Sequence, residues 1–321
     1  MEKKDLKIVF FGTPDFAVES LKRLVEGGYN VVGVVTMPDK PAGRGHHLLQ
    51  SDVKKYAVEN GLHLMQPVKL KDEEFVNELR SLNADLFIVI AFRMLPEVVW
   101  AMPRLGTFNL HASLLPKYRG AAPINWAVMN GETETGVTTF FLKHEIDTGD
   151  VIQQKSLPIG RKDNVEAIHD GLRMMGAGMV IETVDAIIAG TVKPIPQSEM
   201  LTAGEKPTPA PKIFKDTCRI DWNWCAEKVY NHVRGLSPYP AAWTEIVDAV
   251  GKVYAVKIFE TGEPEAPSAN LVPGTLTTDG KRLWVACADA KIEILSLQMA
   301  GKRRMPTADF LRGFNIEGCH C

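Results

Sequence analysis

The stretch LKIVFFGTPDFAVESLKRLVEGGYNVVGVVT, residues 6–36, sets the expected fold class. Leu6–Phe11 is a short, almost wholly apolar run closed by Gly12, the pattern of a strand buried on both faces. Thr13 then stands where a helix N-cap would accept a backbone N–H, and Pro14 suits a first helical turn. Ala17, Leu21, Leu24 and Val25 recur at helical spacing, and Gly27-Gly28 ends the pattern. NVVGVVT, residues 30–36, is a second buried strand. Two buried strands joined by an amphipathic helix predict a β-α-β unit, which builds parallel sheets.

The same reading extends outward. ADLFIVIAF (84–92) and GTFNLHA (106–112) predict further strands, with a helix from Asp72 to Leu82 before the first of them. VTTFFL (137–142) and DVIQQKSLPI (150–159) continue the strand material. A long helix from Val165 to Ile188, with Ile168, Leu172, Met175 and Met179 on one face, closes the unit. The expected fold is a doubly wound, mostly parallel α/β domain over residues 1–190. Prolines 194, 196, 207, 209 and 211 then crowd a stretch without apolar period, so 191–211 reads as an extended linker. Residues 212–321 begin with a helix over Ala226–Leu236 and pass into alternating strands, with Asp279-Gly280 as a hairpin turn. Short strands with turn signals predict a small OB-like β-barrel.

Bulk properties exclude several classes. The 321 residues are 45% hydrophobic and 24% charged, ordinary for a globular chain of about two domains. A net charge of −2 gives no global field that would draw the protein onto nucleic acid. MEKKDLKIVF runs straight into the first strand without a signal or transit pattern, and no apolar run approaches the ~18 residues of a membrane span. With five cysteines, an odd number, the expectation is reduced thiols in the cytoplasm.

The chemistry concentrates in NLHASLLPKYRGAAP, residues 109–123. Asn109 and His111 are two apart near the end of a predicted strand, so both side chains leave the same face. In open α/β sheets ligands bind beyond the carboxyl ends of the strands. An amide there can donate to a developing oxyanion, and an imidazole can move protons near neutral pH. A capping Asn and a packed His have the same spacing, so the pattern leaves both readings open. HEIDTGDVI, residues 144–152, adds a carboxylate at Asp147 just before Thr148-Gly149, and His144 stands as a rival base. The single DTG motif cannot supply the paired carboxylates of an aspartic protease.

FNLHASLLPKYRGAAPINWAVMNGETETGVTTFFLKHEIDTGDVI (108–152) resembles the core of the folate-dependent formyltransferases. FFGTPDFAVESL, MPDKPAGRGHHLLQSDVK and APKIFKDTCRIDW with HVRGLSPYPAAWT extend the resemblance over nearly the whole chain. They are similar to the branch that acts on charged initiator tRNA. The resemblance implies 10-formyltetrahydrofolate as co-substrate and initiator methionyl-tRNA as partner; no metal and a monomer are expected. It assigns catalysis to Asn109, His111 and Asp147: Asn109 donates to the oxyanion, His111 stabilises it and moves protons, and Asp147 holds His111. It places the folate against Ser113, Leu114, Leu115 and Pro116, and against Ala91, Phe92 and Arg93. The family's Ala-Tyr-Gly-x-Ile-Leu-Pro is AFRMLP here, with Phe92 for Tyr, Arg93 for Gly and one residue fewer. Arg93 is then either a partner for a folate carboxylate or an ordinary ion-paired side chain.

The resemblance also makes Lys40 and Arg44, in DKPAGRGHH, and Lys302, Arg303 and Arg304 contacts for tRNA phosphates. Charge alone does not support this: from residue 208 onward there are 14 Lys+Arg and 13 Asp+Glu. His46-His47 lacks neighbouring ligands for a metal, Gly12 lacks a dinucleotide fingerprint, and Cys319-His320-Cys321 reads as a frayed terminus. The alternative activity is formyl transfer to a small amine, such as an amino-sugar nucleotide or glycinamide ribonucleotide. Hydrolysis of the formyl donor, or RNA binding without catalysis, would fit fewer of the motifs.

Overall fold

A computed structural model describes residues 2–42, 47–201, 204 and 206–321. Arg44 and His46 lie outside the described residues. The chain forms two compact units, and neither is continuous in sequence. The first holds the chain up to Gly120, Thr135–Leu157 and His169–Pro209, and the second holds Ala121–Glu134, Pro158–Ile168 and Ala210–Cys321.

The opening unit forms as its pattern predicts: strand β1 (Lys7–Gly12), helix α1 (Asp15–Glu26) and strand β2 (Asn30–Val35), with β1 parallel to β2. One detail differs. Pro14, not Thr13, is the N-cap of α1, and the Thr13 hydroxyl is buried without a hydrogen-bond partner among the described residues. Gly12 is required where α1 leaves the sheet, since a Cβ there would lie 2.7 Å from the Ala17 Cβ. Two short antiparallel strands follow, β3 (Lys40–Ala42) and β4 (His47–Leu49), with helix α2 (Asp52–Glu59) after them. Next come β5 (Leu64–Met65), α3 (Glu73–Ser81), β6 (Leu86–Ile90), α4 (Glu97–Trp100) and β7 (Thr107–His111). Strand β8 (Arg119–Gly120) and helix α5 (Pro123–Met129) lead to β9 (Glu134–Phe141), β10 (Val151–Pro158) and the long α6 (Val165–Ala189).

The main sheet runs β10-β9-β7-β6-β1-β2-β5. β6 is parallel to β1 and β7, β5 is parallel to β2, and β9 reverses against β7. Strand alternation divides the core. Val9, Phe11, Val35, Phe87 and Val89 face α3 through Phe75, Val76 and Leu79, and α4 through Val99. The neighbouring Ile8, Phe10, Val34, Leu86 and Ile88 are equally buried, as expected of strands covered on both faces. The arrangement is the doubly wound parallel sheet that the sequence predicts.

The short β11 (Pro209–Ala210) spans the last residue of the first unit and the first of this stretch of the second, which goes on through α7 (Ala226–Leu236), β12 (Ala242–Val247), β13 (Val253–Thr261), β14 (Leu276–Thr278), β15 (Leu283–Ala286), β16 (Lys291–Met299), β17 (Met305–Pro306) and α8 (Thr307–Gly313). Its antiparallel sheet runs β12-β13-β16-β15-β14, with β17 on β16. This curled sheet is the OB-like half-barrel expected. Asp279 makes the β14–β15 turn by accepting from the Lys281 and Arg282 N–H groups. The core gathers Trp222, Tyr230, Ile258, Leu283, Ile292 and Phe310, with Met129 of α5 packed into it.

The chain terminus corrects its sequence reading. Cys319-His320-Cys321 is not frayed. His320 bridges both Val247, at the end of β12, and Thr275, just before β14. The Val247 N–H donates to the His320 carbonyl at 2.8 Å, and the Cys321 N–H donates to the Gly274 carbonyl at 2.9 Å. The last residues therefore tie the two outer strands of the half-barrel, an edge that would otherwise be left unpaired.

Candidate active site

Strand β7 ends in the Asn109-Leu110-His111 sequence, held between β6 and β9. Asn109 stands opposite Val89 and Phe140, and His111 opposite Thr138. Leu110 between them is buried on the other face, where its side chain meets Gly176 of α6. The period of two thus sends Asn109 and His111 to one side, at the carboxyl end of the parallel strands.

His111 is buried, 7% exposed, and its ring has two distinct environments. Nε2 lies 2.9 Å from the Tyr118 carbonyl oxygen. A carbonyl only accepts, so Nε2 carries the hydrogen and Nδ1 is left as the nitrogen that can gain or lose a proton. Nδ1 faces the Asp147 carboxylate at 3.8 Å, within ion-pair range but longer than a hydrogen bond. The contact that fixes the ring is therefore with Tyr118. Asp147 is itself anchored: its Oδ2 accepts the Gly120 N–H at 2.9 Å. Its backbone has φ +55°, the left-handed region that non-glycine residues seldom occupy. Tyr118, with φ +61°, is the matching special residue on the other side. Gly149 brings the DTG loop flush against β9, because a Cβ there would lie 1.6 Å from the Phe141 carbonyl oxygen.

The 113–116 segment is fixed by one hydroxyl and one amide. The Thr138 hydroxyl donates to the Ser113 carbonyl at 2.6 Å and accepts the Leu115 N–H at 3.1 Å. Gln154 Nε2 donates to the Leu115 carbonyl at 2.7 Å and to the Thr138 hydroxyl at 2.9 Å. Ser113 Oγ donates to the Lys117 carbonyl, and Leu115 and Pro116 are buried while Leu114 is half-buried. At the end of the adjacent β6, Ala91 is exposed with φ +47°, and Phe92 packs edge-on to Phe11. Arg93 donates to the Val68 carbonyl at 2.7 Å and to the Pro67 carbonyl, and its guanidinium lies over the Phe92 ring. Two of its donors thus bind one loop to another, and burial lowers its pKa.

His144 turns elsewhere. It pairs with Glu97 at 3.5 Å and stacks edge-on to Trp100. Lys40 is exposed on β3. Lys302, Arg303 and Arg304 are exposed after β16, with Arg304 over the Phe259 ring and bonded to Ser296. Arg304 also lines a cleft of the second unit with a volume of about 580 Å³. Its wall carries Lys162 and Arg234 but also Glu166, Glu260 and Glu263.

Several residues that build the site carry no local signal. Tyr118 and Gly120 act through backbone atoms, Thr138 and Gln154 are polar members of ordinary strands, and Gln197 reaches the site from the Pro-rich segment. Gln197 is 3% exposed and bonds to the carbonyls of both Asp147 and Gly149.

Known proteins match this chain over both units. The formyl transferase family model matches residues 6–184, and the model of the formyl transferase C-terminal domain matches 212–315. A methionyl-tRNA formyltransferase of Bacteroides fragilis is 65% identical over 317 residues, covering 98% of this chain and 97% of that one. One of Porphyromonas gingivalis is 50% identical over 317 residues, with 98% of each chain covered. Among solved structures, the N-formyltransferase of Helicobacter canadensis with folinic acid and dTDP-3-aminofucose aligns with TM-score 0.66 at 19% identity, over 90% of this chain and 98% of that one. HypX of Aquifex aeolicus with tetrahydrofolic acid aligns with TM-score 0.62 at 21% identity, over 97% of this chain and 47% of that one. At these identities the two structures establish a shared fold.

Proposed function

The chain belongs to the formyl transferase family, and on that premise we propose that it transfers the formyl group of 10-formyltetrahydrofolate to the α-amino group of methionine carried by initiator tRNA. One observation carries this reading: identity to proteins named methionyl-tRNA formyltransferase runs at 65% across 98% of the chain, the C-terminal unit included. The enzyme works in translation initiation, in the cytoplasm, as a monomer. No helix among the described residues is long and apolar enough to cross a membrane.

The co-substrate supplies an activated formyl carbon, and the backbone of this chain fits such a ligand. Residues 91–93 and 113–116 leave the carboxyl ends of adjacent parallel strands, and the second segment is immobilised by Thr138 and Gln154. Ala91, Phe92 and Arg93 hold the folate from one side, and Ser113, Leu114, Leu115 and Pro116 from the other.

Asn109 donates to the formyl oxygen as the amine adds and that oxygen gains charge. Its backbone is paired on both sides, to Val89 of β6 and Phe140 of β9, so the amide is held in place during the reaction. The amine must attack in its neutral form and then shed a proton. His111 Nδ1 is the ring nitrogen free to take it, since Nε2 is committed to Tyr118. Asp147, 3.8 Å away and anchored by Gly120, stabilises the charge that the ring then bears. The same proton is returned to the departing folate nitrogen, so the cycle closes without a covalent enzyme intermediate. Lys40, Lys302, Arg303 and Arg304 contact tRNA phosphates, and Arg44, outside the described residues, serves with Lys40. The exposure of Lys40, Lys302, Arg303 and Arg304 supports that role.

A formylation assay with 10-formyltetrahydrofolate tests the reading. Methionyl initiator tRNA should be formylated far faster than methionyl elongator tRNA or small amines. Preference for an amino-sugar nucleotide or glycinamide ribonucleotide would overturn it.

A further inference from the structure

We propose that Gln197, in the Pro-rich segment, is a positioning residue for the acyl transfer: it clamps the two loops that set the Asp147 carboxylate against the His111 ring. The proposal rests on the catalytic reading of that pair.

The hydrogen bonds of Gln197 are saturated. Its Nε2 donates to the Asp147 carbonyl at 2.8 Å and to the Gly149 carbonyl at 2.8 Å. Its Oε1 accepts from Arg119 Nε at 3.0 Å and Nη2 at 2.6 Å. Two donors meet two acceptors and one oxygen meets two donors, so the orientation of the amide is fixed by its partners. Turning it over would set N–H groups against a guanidinium and an oxygen against two carbonyls.

The two loops so joined are those that hold the pair. Residues 118–120 supply the Tyr118 carbonyl to His111 and the Gly120 N–H to the Asp147 carboxylate. Residues 147–149 carry the carboxylate on a backbone at φ +55°. A non-glycine residue in that region is less stable than in an ordinary conformation, so its surroundings must hold it there. Gln197 grips the carbonyls on either side of Thr148, which opposes relaxation of that φ.

The segment carrying Gln197 is itself secured. Val151 and Ile195 exchange two backbone hydrogen bonds of 2.8 Å, and the Arg119 N–H donates to the Thr208 carbonyl at 3.1 Å. Met200 packs on the cluster of Leu115, Phe140 and Val151. The stretch that composition marks as a tether is therefore, around residues 195–200, a wall of the site.

The test uses the full-length enzyme and a double-mutant cycle. Gln197→Met keeps the size and removes all four hydrogen bonds. Gln197→Glu keeps the acceptors for Arg119 and sets a carboxylate oxygen against the 147 and 149 carbonyls in place of the donors, so it breaks the clamp with the Arg119 link intact. Both should lower kcat by about tenfold to a hundredfold, the scale expected when reacting groups drift by about an ångström. KM for the formyl donor should stay within about threefold. In an Asp147→Asn background the same changes should cost less than about threefold, because a clamp acts only through the group it positions. Wild-type kcat in Gln197→Glu, or an undiminished loss in the Asp147→Asn background, would overturn the clamp. Wild-type turnover in Asp147→Asn alone would instead overturn the catalytic reading of the carboxylate, and the clamp with it.

Discussion

The strand ends of the parallel sheet and the outer strands of the antiparallel half-barrel are finished in opposite ways. β6 and β7 release backbone that departs at once from regular geometry, with Ala91 at φ +47°, Tyr118 at +61° and Asp147 at +55° nearby. Those residues are held by polar contacts: Gly120 on the Asp147 carboxylate, Tyr118 on His111, Gln197 on the 147–149 carbonyls. The half-barrel instead ties β12 and β14 together through His320 and fills its interior with apolar side chains. The first region holds polar atoms in fixed positions. The second hides its edge and presents a charged exterior. Function in this chain should therefore respond to single polar atoms in the first unit, and to accumulated surface charge or closure of the sheet in the second.

The largest effect is expected from Asn109→Ala. Loss of an oxyanion donor should lower turnover by ~10²–10³, with folate affinity and thermal stability nearly unchanged. Single-turnover formylation beside equilibrium folate binding checks it. Activity within tenfold of wild type would mean that the strand-end amide is structural.

Removing residues 319–321 should have the converse signature. Loss of the three terminal hydrogen bonds to Val247 and Gly274 should destabilise the second unit by roughly 2–4 kcal/mol, at about 0.5–1.5 kcal/mol each. Denaturant unfolding measures this. An unchanged midpoint would return the terminus to the status of a loose tail.

Acid should also separate the regions. His232 of α7 is 3% exposed, edge-on to Trp224, and its Nε2 has no hydrogen-bond partner among the described residues. Burial pushes its pKa down from 6.5 to about 4. Between those values the unfolded chain binds a proton that the folded chain does not. Stability is therefore full above about pH 6.5 and falls as pH drops toward 4, by on the order of 3 kcal/mol in total. His232→Gln should flatten that dependence in denaturant titrations at pH 7 and pH 4.5. An equal loss in both proteins would trace acid sensitivity to other groups.

The smallest effect is expected from the exposed cations. Replacing Lys302, Arg303 and Arg304 together should weaken binding of all tRNAs about equally, since phosphate contacts carry no base information. The slope of log affinity against log salt should fall by up to ~0.9 for each lost duplex contact. An unchanged slope would leave the cluster as solvated surface.

Much of this was legible in the chain. Leu6–Phe11 and Asn30–Val35 are strands because they are continuous apolar runs, and α7 spans Ala226–Leu236 where helical periodicity places it. Asn109 and His111 could be paired from their spacing alone. The C-terminal segment departs from its sequence pattern because Cys319-His320-Cys321 is too short to show a period, and the hydrogen bonds that tie it to Val247 and Gly274 are made by backbone atoms. Thr13 failed as a cap because Pro14 took that position.

What the sequence determined by itself is local: which segments are buried on two faces, where helices begin and end, and which side chains share a strand face. These follow from repeats of 2.0 and 3.6 residues, which a short window contains. Only the tertiary structure decided that residues 121–134 and 158–168 pack with the C-terminal unit, that His320 closes the half-barrel, and that Gln197 meets Arg119 across 78 positions. Such contacts depend on how distant segments are brought together by burial of the cores, and no period along the chain records them.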